Sequence, residues 1–517
     1  MSKRIVFVFV LSVSMLAPAT VASVASDVPG CDFDDDGYAD LVVGAPNEDV
    51  GDLNWAGAVN VIYGSDGKLA SSGSQLFHQD VAGMQGVAEA SDLFGNAVAC
   101  GHFDGDQYED LAIGAYAERV GTEDVAGAVQ ILHGSAAGLT TGNDLLIHRD
   151  RPGVAGDANF GDSFGWALTA GDFNDDGWDD LAVGVPEANV GPDTGEVQVF
   201  YGTPGGLTFD DDERWYVSVT GVKGKASEKF GRSLASGDFD GDGFADLAIG
   251  DPHRTVGGNV QAGAVTVLFG GAGGLTTRDQ LIHRNRKGIA AAAGAGDLFG
   301  DSLAAADLDG DGRDDLVVDV SQDDIGGVAQ AGSVHVLYGG GTGLEKAGDE
   351  VWHRAKPGVK RAPHVSDRFG RSVTVADFDG DGRGDLAVGV EFDDNGNTDD
   401  VEDSGSVHVF YGTPRGVDAS RDEVWQQGTK GIKGSNDLYD GFGGALAAGD
   451  YNANGRADLA IGVRNERVDG EGAAGTVQVV YGNAAGLKAK GDQTWSQNSP
   501  GIGGVAESAD HFGDALG

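Results

Sequence analysis

The sequence predicts an all-β fold, a seven-bladed β-propeller with four strands per blade. Three recurrences predict it: a Phe-Gly pair, an acidic loop a fixed distance after that pair, and short β-prone runs between successive loops. Self-similarity at a period of tens of residues marks a repeat architecture, and it overrides the estimate of about three domains that length alone suggests.

The pairs are Phe94-Gly95, Phe164-Gly165, Phe230-Gly231, Phe299-Gly300, Phe369-Gly370, Phe442-Gly443 and Phe512-Gly513. Eight residues after each of the first six Phe, an acidic loop begins, at His102, Asp172, Asp238, Asp307, Asp377 and Asp450. A seventh loop, starting at Asp32, precedes the first pair, and successive starts lie 70, 70, 66, 69, 70 and 73 residues apart. Each loop leads into an apolar run such as Leu41-Val42-Val43-Gly44-Ala45-Pro46 or Leu247-Ala248-Ile249-Gly250. Further runs follow, such as Val407-His408-Val409-Phe410-Tyr411-Gly412 and Val351-Trp352-His353. They are short, β-branched or aromatic, and bounded by Gly and Asp, so they read as strands. The first loop has no Phe-Gly strand before it and the last Phe-Gly strand has no loop after it. The C-terminal strand is therefore expected to complete the first blade, closing a ring without open sheet edges.

Among 517 residues there are 82 Asp and Glu against 34 Lys and Arg, a formal charge of −48. Such a chain is repelled by nucleic acid and by anionic membranes. Lys3 and Arg4 precede the apolar run Ile5 to Ala17 and a string of small residues. Residues 1–26 thus read as a cleavable export signal, and residues 27–517 as one propeller. The expected location is secreted and extracellular, without membrane insertion after signal removal. Export permits a disulfide between the two cysteines, Cys31 and Cys100; two buried free thiols are the alternative.

The acidic loops carry the chemistry. In Asp238-Phe239-Asp240-Gly241-Asp242-Gly243-Phe244-Ala245-Asp246, carboxylates stand at loop positions 1, 3, 5 and 9. Gly at position 6 permits the turn with positive φ that wraps the backbone inward. Two carboxylates about 5 Å apart repel by roughly 3 kcal/mol at an effective dielectric near 20, so four facing inward call for a cation. Hard oxygen donors in this number suit Ca²⁺, with the position-7 carbonyl, here of Phe244, joining them. The loop is not an EF-hand, because position 12 of the first loop is Val43, inside a strand. Complete sets are Asp32, Asp34, Asp36, Tyr38 and Asp40; the Asp238 set; Asp307, Asp309, Asp311, Arg313 and Asp315; and Asp377, Asp379, Asp381, Arg383 and Asp385. Asp172, Asn174, Asp176, Trp178 and Asp180 form a fifth Ca²⁺ loop. Asp450, Asn452, Asn454, Arg456 and Asp458 keep the oxygens with only two charges, which implies weaker binding. Loop two has His102 at position 1 and Gln107 at position 6; Asp104, Asp106 and Asp110 remain, and the reading leaves it between bound and empty.

The Phe-Gly pair, the acidic loop and Gly44-Ala45-Pro46 resemble the FG-GAP repeat of integrin α-subunit propellers and their secreted bacterial relatives, over residues 31–517. The Gly-Ala-Pro element decays to Gly184-Val185-Pro186 and is lost at Asp319-Val320-Ser321. The resemblance implies that the metal loops are structural and lie on the face opposite the ligand surface. The expected function is a monomeric, non-enzymatic binding or adhesion module for an extracellular protein or glycan. The rival is a Ca²⁺-dependent polysaccharide lyase or hydrolase working in the channel, for which no convergent acid/base cluster is visible.

Three other patterns carry less. Gly161-x-Ser163-x-Gly165 spells a nucleophile elbow, but Ser163 aligns with Leu93 and Lys229 in other blades. Arg383-Gly384-Asp385 spells an adhesion tripeptide, but Asp385 is a loop ligand. His78, His148, His283 and His353 recur near the fourth strand, with Val217, Gln426 and Ser496 in the other blades, and read as surface strand positions.

Overall fold

Leu41–Ala45 is apolar on both faces, and the architecture explains why. Leu41, Val43 and Ala45 pack with Val477, Val479 and Phe512 of the last blade. Val42 packs instead with Leu111 and Ile113 of the second blade. A strand held between two neighbouring sheets has no solvent face, so its pattern is a continuous apolar run. The same holds around the ring, where seven hydrophobic clusters each join two adjoining blades.

The computed structural model describes residues 30–190, 193–218, 228–345, 348–394 and 403–517; the export signal at 1–26 lies outside them. Among the described residues there is no helix, and the strands form seven antiparallel sheets in a ring. Blade two shows the plan: Val98–Gly101, Asp110–Ala115, Ala128–His133 and Thr140–Ile147 pair in that order from the channel outward. Its registers include Cys100↔Leu111, Ile113↔Gln130 and Val129↔Ile147. The first blade is composite, as the sequence predicts. Ala515–Leu516 pairs with Leu41–Ala45 through Val43↔Leu516 and Gly44↔Ala515, ahead of Ala58–Ile62 and Gln75–Phe77. Blade three departs from four strands, because Glu228–Phe230 adds in parallel to Asp193–Phe200.

The Phe-Gly pair is a joint between blades, and in five blades the first strand begins four residues after the Phe. Phe94 N–H donates to Ala56 O (3.0 Å) in the blade before, and Gly95 N–H to Gly114 O (2.8 Å) in the blade after. Gly95 has φ +90°, and a Cβ there would stand 2.8 Å from Ala58 O. The residue before the Phe is left-handed at Leu93, Ser163, Leu298, Arg368 and His511 (φ 58°, 60°, 60°, 55°, 55°). Ser163 therefore belongs to the repeat's own geometry. At the seam, Phe512 N–H donates to Ala474 O and Gly513 N–H to Gly44 O in the same way.

A tyrosine closes most blade boundaries from the outside. The hydroxyl oxygen of Tyr63 accepts the Leu139 N–H (3.0 Å), and Tyr201, Tyr338 and Tyr411 do the same for Leu275, Val417 and Leu487. Tyr481 accepts the Leu69 N–H (3.0 Å) across the seam. Blades two and four carry His133 and Phe269 at this position. Cys31 and Cys100 are joined in a disulfide that ties the first acidic loop to the inner strand of blade two. The recurring histidines lie in a turn just beyond the fourth strand and not within it, the His78 carbonyl accepting the Val81 N–H (2.9 Å). Register places Tyr216, not Val217, at this position in blade three, since Val197 pairs with Trp215 as Val59 does with Phe77.

Candidate metal centres and the opposite face

Each inner hairpin turns through its acidic loop at one face of the ring. The position-1 carboxylate organises that turn. In loop four, Asp238 Oδ1 accepts the N–H groups of Gly241 (2.8 Å) and Asp242 (3.1 Å), and Oδ2 that of Gly243 (2.9 Å). Asp32, Asp172, Asp307, Asp377 and Asp450 likewise take the N–H groups of positions 5 and 6. Position 5 then accepts the N–H of position 7: Asp36 from Tyr38, Asp176 from Trp178, Asp242 from Phe244, Asp311 from Arg313 and Asp381 from Arg383. Position 9 staples the loop to the sheet. Asp40 accepts the N–H of Phe33 (2.9 Å) and of Gly64 (2.9 Å), and Asp180, Asp246, Asp315 and Asp385 repeat both bonds. Burial pushes each of these five carboxyls up to about 8. Asp385 is fully buried, which withdraws the Arg383-Gly384-Asp385 tripeptide from solvent.

Position 3 is where the loops fit a cation. Asp34 Oδ1, Asp240 Oδ1 and Asp379 Oδ1 are buried oxygens without a hydrogen-bond partner. The carboxylates of Asp32, Asp34 and Asp36, and of Asp238, Asp240 and Asp246, bring oxygens within 4.8 Å of one another. Every staple leaves its carboxylate spare lone pairs, so the donor set suits Ca²⁺. Arg278, just before the fourth strand of its blade, and Arg421, within its own, reach Asp240 and Asp379. Asp309 differs, its Oδ1 accepting the Asp311 N–H (3.1 Å). Loop seven neutralises itself differently: the Asn452 amide donates to Asp458, and Arg456 turns to Asp379 O (3.1 Å) in the neighbouring loop. In loop two Asp104 and Asp106 accept the N–H groups of Asp106 and Tyr108, but His102 gathers no backbone donors; its Nδ1 lies 3.3 Å from Tyr108 O. Residues at position 8 escaped the sequence reading. Glu109, Asp179 and Asp314 accept the position-1 N–H of the preceding loop, from Asp32, His102 and Asp238.

The opposite face holds the Phe-Gly joints, and the residue after each pair comes to the channel mouth. These seven are Asn96, Trp166, Arg232, Asp301, Arg371, Gly444 and Asp514, and they line a cavity of about 480 Å³. Arg232 lies over the Trp166 ring (4.1 Å), which is tilted against Tyr116 (4.5 Å). Arg464 pairs with Glu391 (2.7 Å) and Asp514 (3.3 Å), and Arg232 with Asp301 (3.4 Å). No recurrence marks this site in the sequence, because its content is what differs between blades.

Fold and loops together define a β-propeller with a ring of acidic, cation-suited turns at one face. The FG-GAP repeat model matches residues 24–62, 164–200, 230–268, 299–337, 369–410 and 442–480, and the chain belongs to the FG-GAP repeat family. It is 34% identical to integrin alpha-PS2 of Drosophila melanogaster over 45% of this chain and 15% of that one. It is 30% identical to the phosphatidylinositol-glycan-specific phospholipase D of Rattus norvegicus over 36% of this chain and 21% of that one. The matches thus span about a fifth or less of either relative's length. Among solved structures, a Bacillus licheniformis rhamnogalacturonan lyase aligns over 94% of this chain and 76% of that one, at 13% identity and a TM-score of 0.35, too distant a likeness to carry an argument.

Proposed function

We propose that this chain is a secreted, non-enzymatic binding module whose propeller is stiffened by Ca²⁺ and whose opposite face receives an extracellular protein or glycan. The observation that carries this reading is the contrast between the two faces. Five of the acidic loops repeat the same hydrogen bonds from blade to blade, as a structural device does. The channel mouth differs from blade to blade, as recognition of one asymmetric ligand demands. It also gathers Arg232, Arg371 and Arg464 in a chain of net charge −48, beside an aromatic pair able to stack on a ring or side chain. Loops one, three, four, five and six hold Ca²⁺ in this reading; loop seven binds more weakly, its amides supplying part of what a cation would.

Binding to the folded form alone stabilises it by mass action. Chelation is therefore expected to lower the melting temperature by many degrees, and Ca²⁺ to restore it. Glycan arrays and extracellular pull-downs with the Ca²⁺-loaded chain are expected to give a ligand that Trp166→Ala loses. Retention of that ligand by both Trp166→Ala and Arg371→Ala, or turnover of a bound polysaccharide, would falsify the reading.

A further inference from the structure

Blade two breaks the repeat in its loop and again in its third strand. The other six loops open on Asp, and this one on His102; five blades end their third strand in the tyrosine latch, and this one in His133. The His133 ring does not reach blade three. It turns into its own acidic loop, where Nδ1 lies 3.2 Å from both Asp104 Oδ2 and Asp110 Oδ1. Ligand atoms of the three residues lie within 4.8 Å of one another. Asp110 is fully buried, and its Oδ2 has no partner. In blades one, three, four, five and six the equivalent oxygen accepts the N–H of loop position 2.

A single ring nitrogen carries at most one proton and serves one carboxylate well, not two. A cation would be shared by Nδ1, Asp104 Oδ2 and Asp110 Oδ1 at once, the last of which also accepts the Gly134 N–H (3.1 Å). Donors about 2.0–2.1 Å from a tetrahedral Zn²⁺ stand about 3.3 Å apart, the spacing already set between His133 and the two carboxylates. One imidazole with two carboxylates suits Zn²⁺ or Co²⁺, where an all-oxygen loop suits Ca²⁺. Without a tyrosine across the boundary, a cavity of about 580 Å³ opens between blades two and three, bordered by His133, Asp104, Leu145, Leu207 and Phe209. Three protein ligands leave a fourth coordination position, the arrangement of an open metal site.

We propose that His133, Asp104 and Asp110 form a transition-metal site of the Zn²⁺ class, chemically distinct from the Ca²⁺ loops, with its fourth position facing this cavity. The site goes beyond the binding-module reading and does not depend on it.

The full chain, stripped by chelation and reloaded with saturating Ca²⁺, is titrated with Co²⁺ and followed by visible absorption. The expected result is a single equivalent giving the intense d–d bands of tetrahedral Co²⁺, abolished by Zn²⁺ and shifted by azide. His133→Tyr, which restores the repeat's own residue, is expected to lose this equivalent while Ca²⁺ stoichiometry stays unchanged; His133→Gln serves if the tyrosine variant does not fold. No Co²⁺ uptake over the Ca²⁺-loaded state, or uptake unaltered in the variant, overturns the site and makes His133 a cationic plug for the loop. Bands unmoved by azide overturn the open position. Failure of the Ca²⁺ loops would appear separately, as lost Ca²⁺ stoichiometry in the unmodified chain.

Discussion

Single residues here are fixed by backbone demands and by burial. Gly95 meets both: its φ is +90°, and a Cβ would stand 2.8 Å from Ala58 O and from Val59 Cγ2. Gly95→Ala is expected to destabilise the fold by about 2–3 kcal/mol in urea titrations. Glu118 shows the burial effect. Its carboxyl is held by the Gln79 amide (2.6 Å), and burial, with Asp92 nearby, pushes it up to about 8. The folded state then keeps a proton that the unfolded chain releases near pH 4.5. Unfolding therefore releases a proton between pH about 4.5 and 8, and this group's contribution to stability falls as pH rises through that window. Glu118→Gln is expected to flatten the decline, raising the melting temperature at about pH 8 more than at about pH 5. An equal effect at both pH values would show that the carboxyl is already ionised in the fold. The Phe-Gly glycines were legible because a left-handed, crowded position admits little else. Glu118 was not, because a buried acid and an exposed one are the same letter.

The elements were legible where geometry repeats and silent where it does not. Acidic loops stood out because positions 1, 5, 6 and 9 each hold a fixed backbone bond. Position 8 was invisible: its carboxylates bond to the next loop over, and only three blades use it. His133 was missed because it belongs to a different strand from Asp110, and only the register Leu111↔Leu132 brings the two together. The disulfide could be permitted by the sequence and not decided, since two cysteines 69 residues apart meet only if two blades are adjacent. Cross-links closing loops of this length stabilise by about 2–4 kcal/mol. The paired Cys31→Ser and Cys100→Ser substitutions are expected to lower stability by that amount in guanidinium titrations, with a raised m-value as the unfolded chain expands.

At the scale of the whole molecule, the count of blades and the composite first blade followed from two offset tallies, Phe-Gly pairs and loops. The seam itself repeats ordinary contacts: Val43↔Leu516 pairing, the buried Phe512 ring and the Tyr481 bond to Leu69. Deleting residues 512–517 is expected to expose the edge of Leu41–Ala45 and to promote aggregation, as read by light scattering. A truncated chain that does not aggregate and keeps its melting temperature would show that the other six blades hold the ring shut.

A closed hoop shares strain around its circumference and yields at its weakest joint. Most joints here are fastened by a tyrosine hydroxyl, and two of these also by a glutamine, as Gln75 donates to Leu139 O (2.9 Å) and Gln493 to Leu69 O (3.0 Å); where Phe269 replaces the tyrosine, Gln280 still donates to Leu344 O (2.7 Å). Between blades two and three both fasteners are replaced, by His133 and Leu145. Thermal breathing of the hoop should begin there, and hydrogen exchange should find the Leu207 amide opening before its counterparts Leu69, Leu139 and Leu275. A metal ion at His133 would then sit at the point where the ring parts.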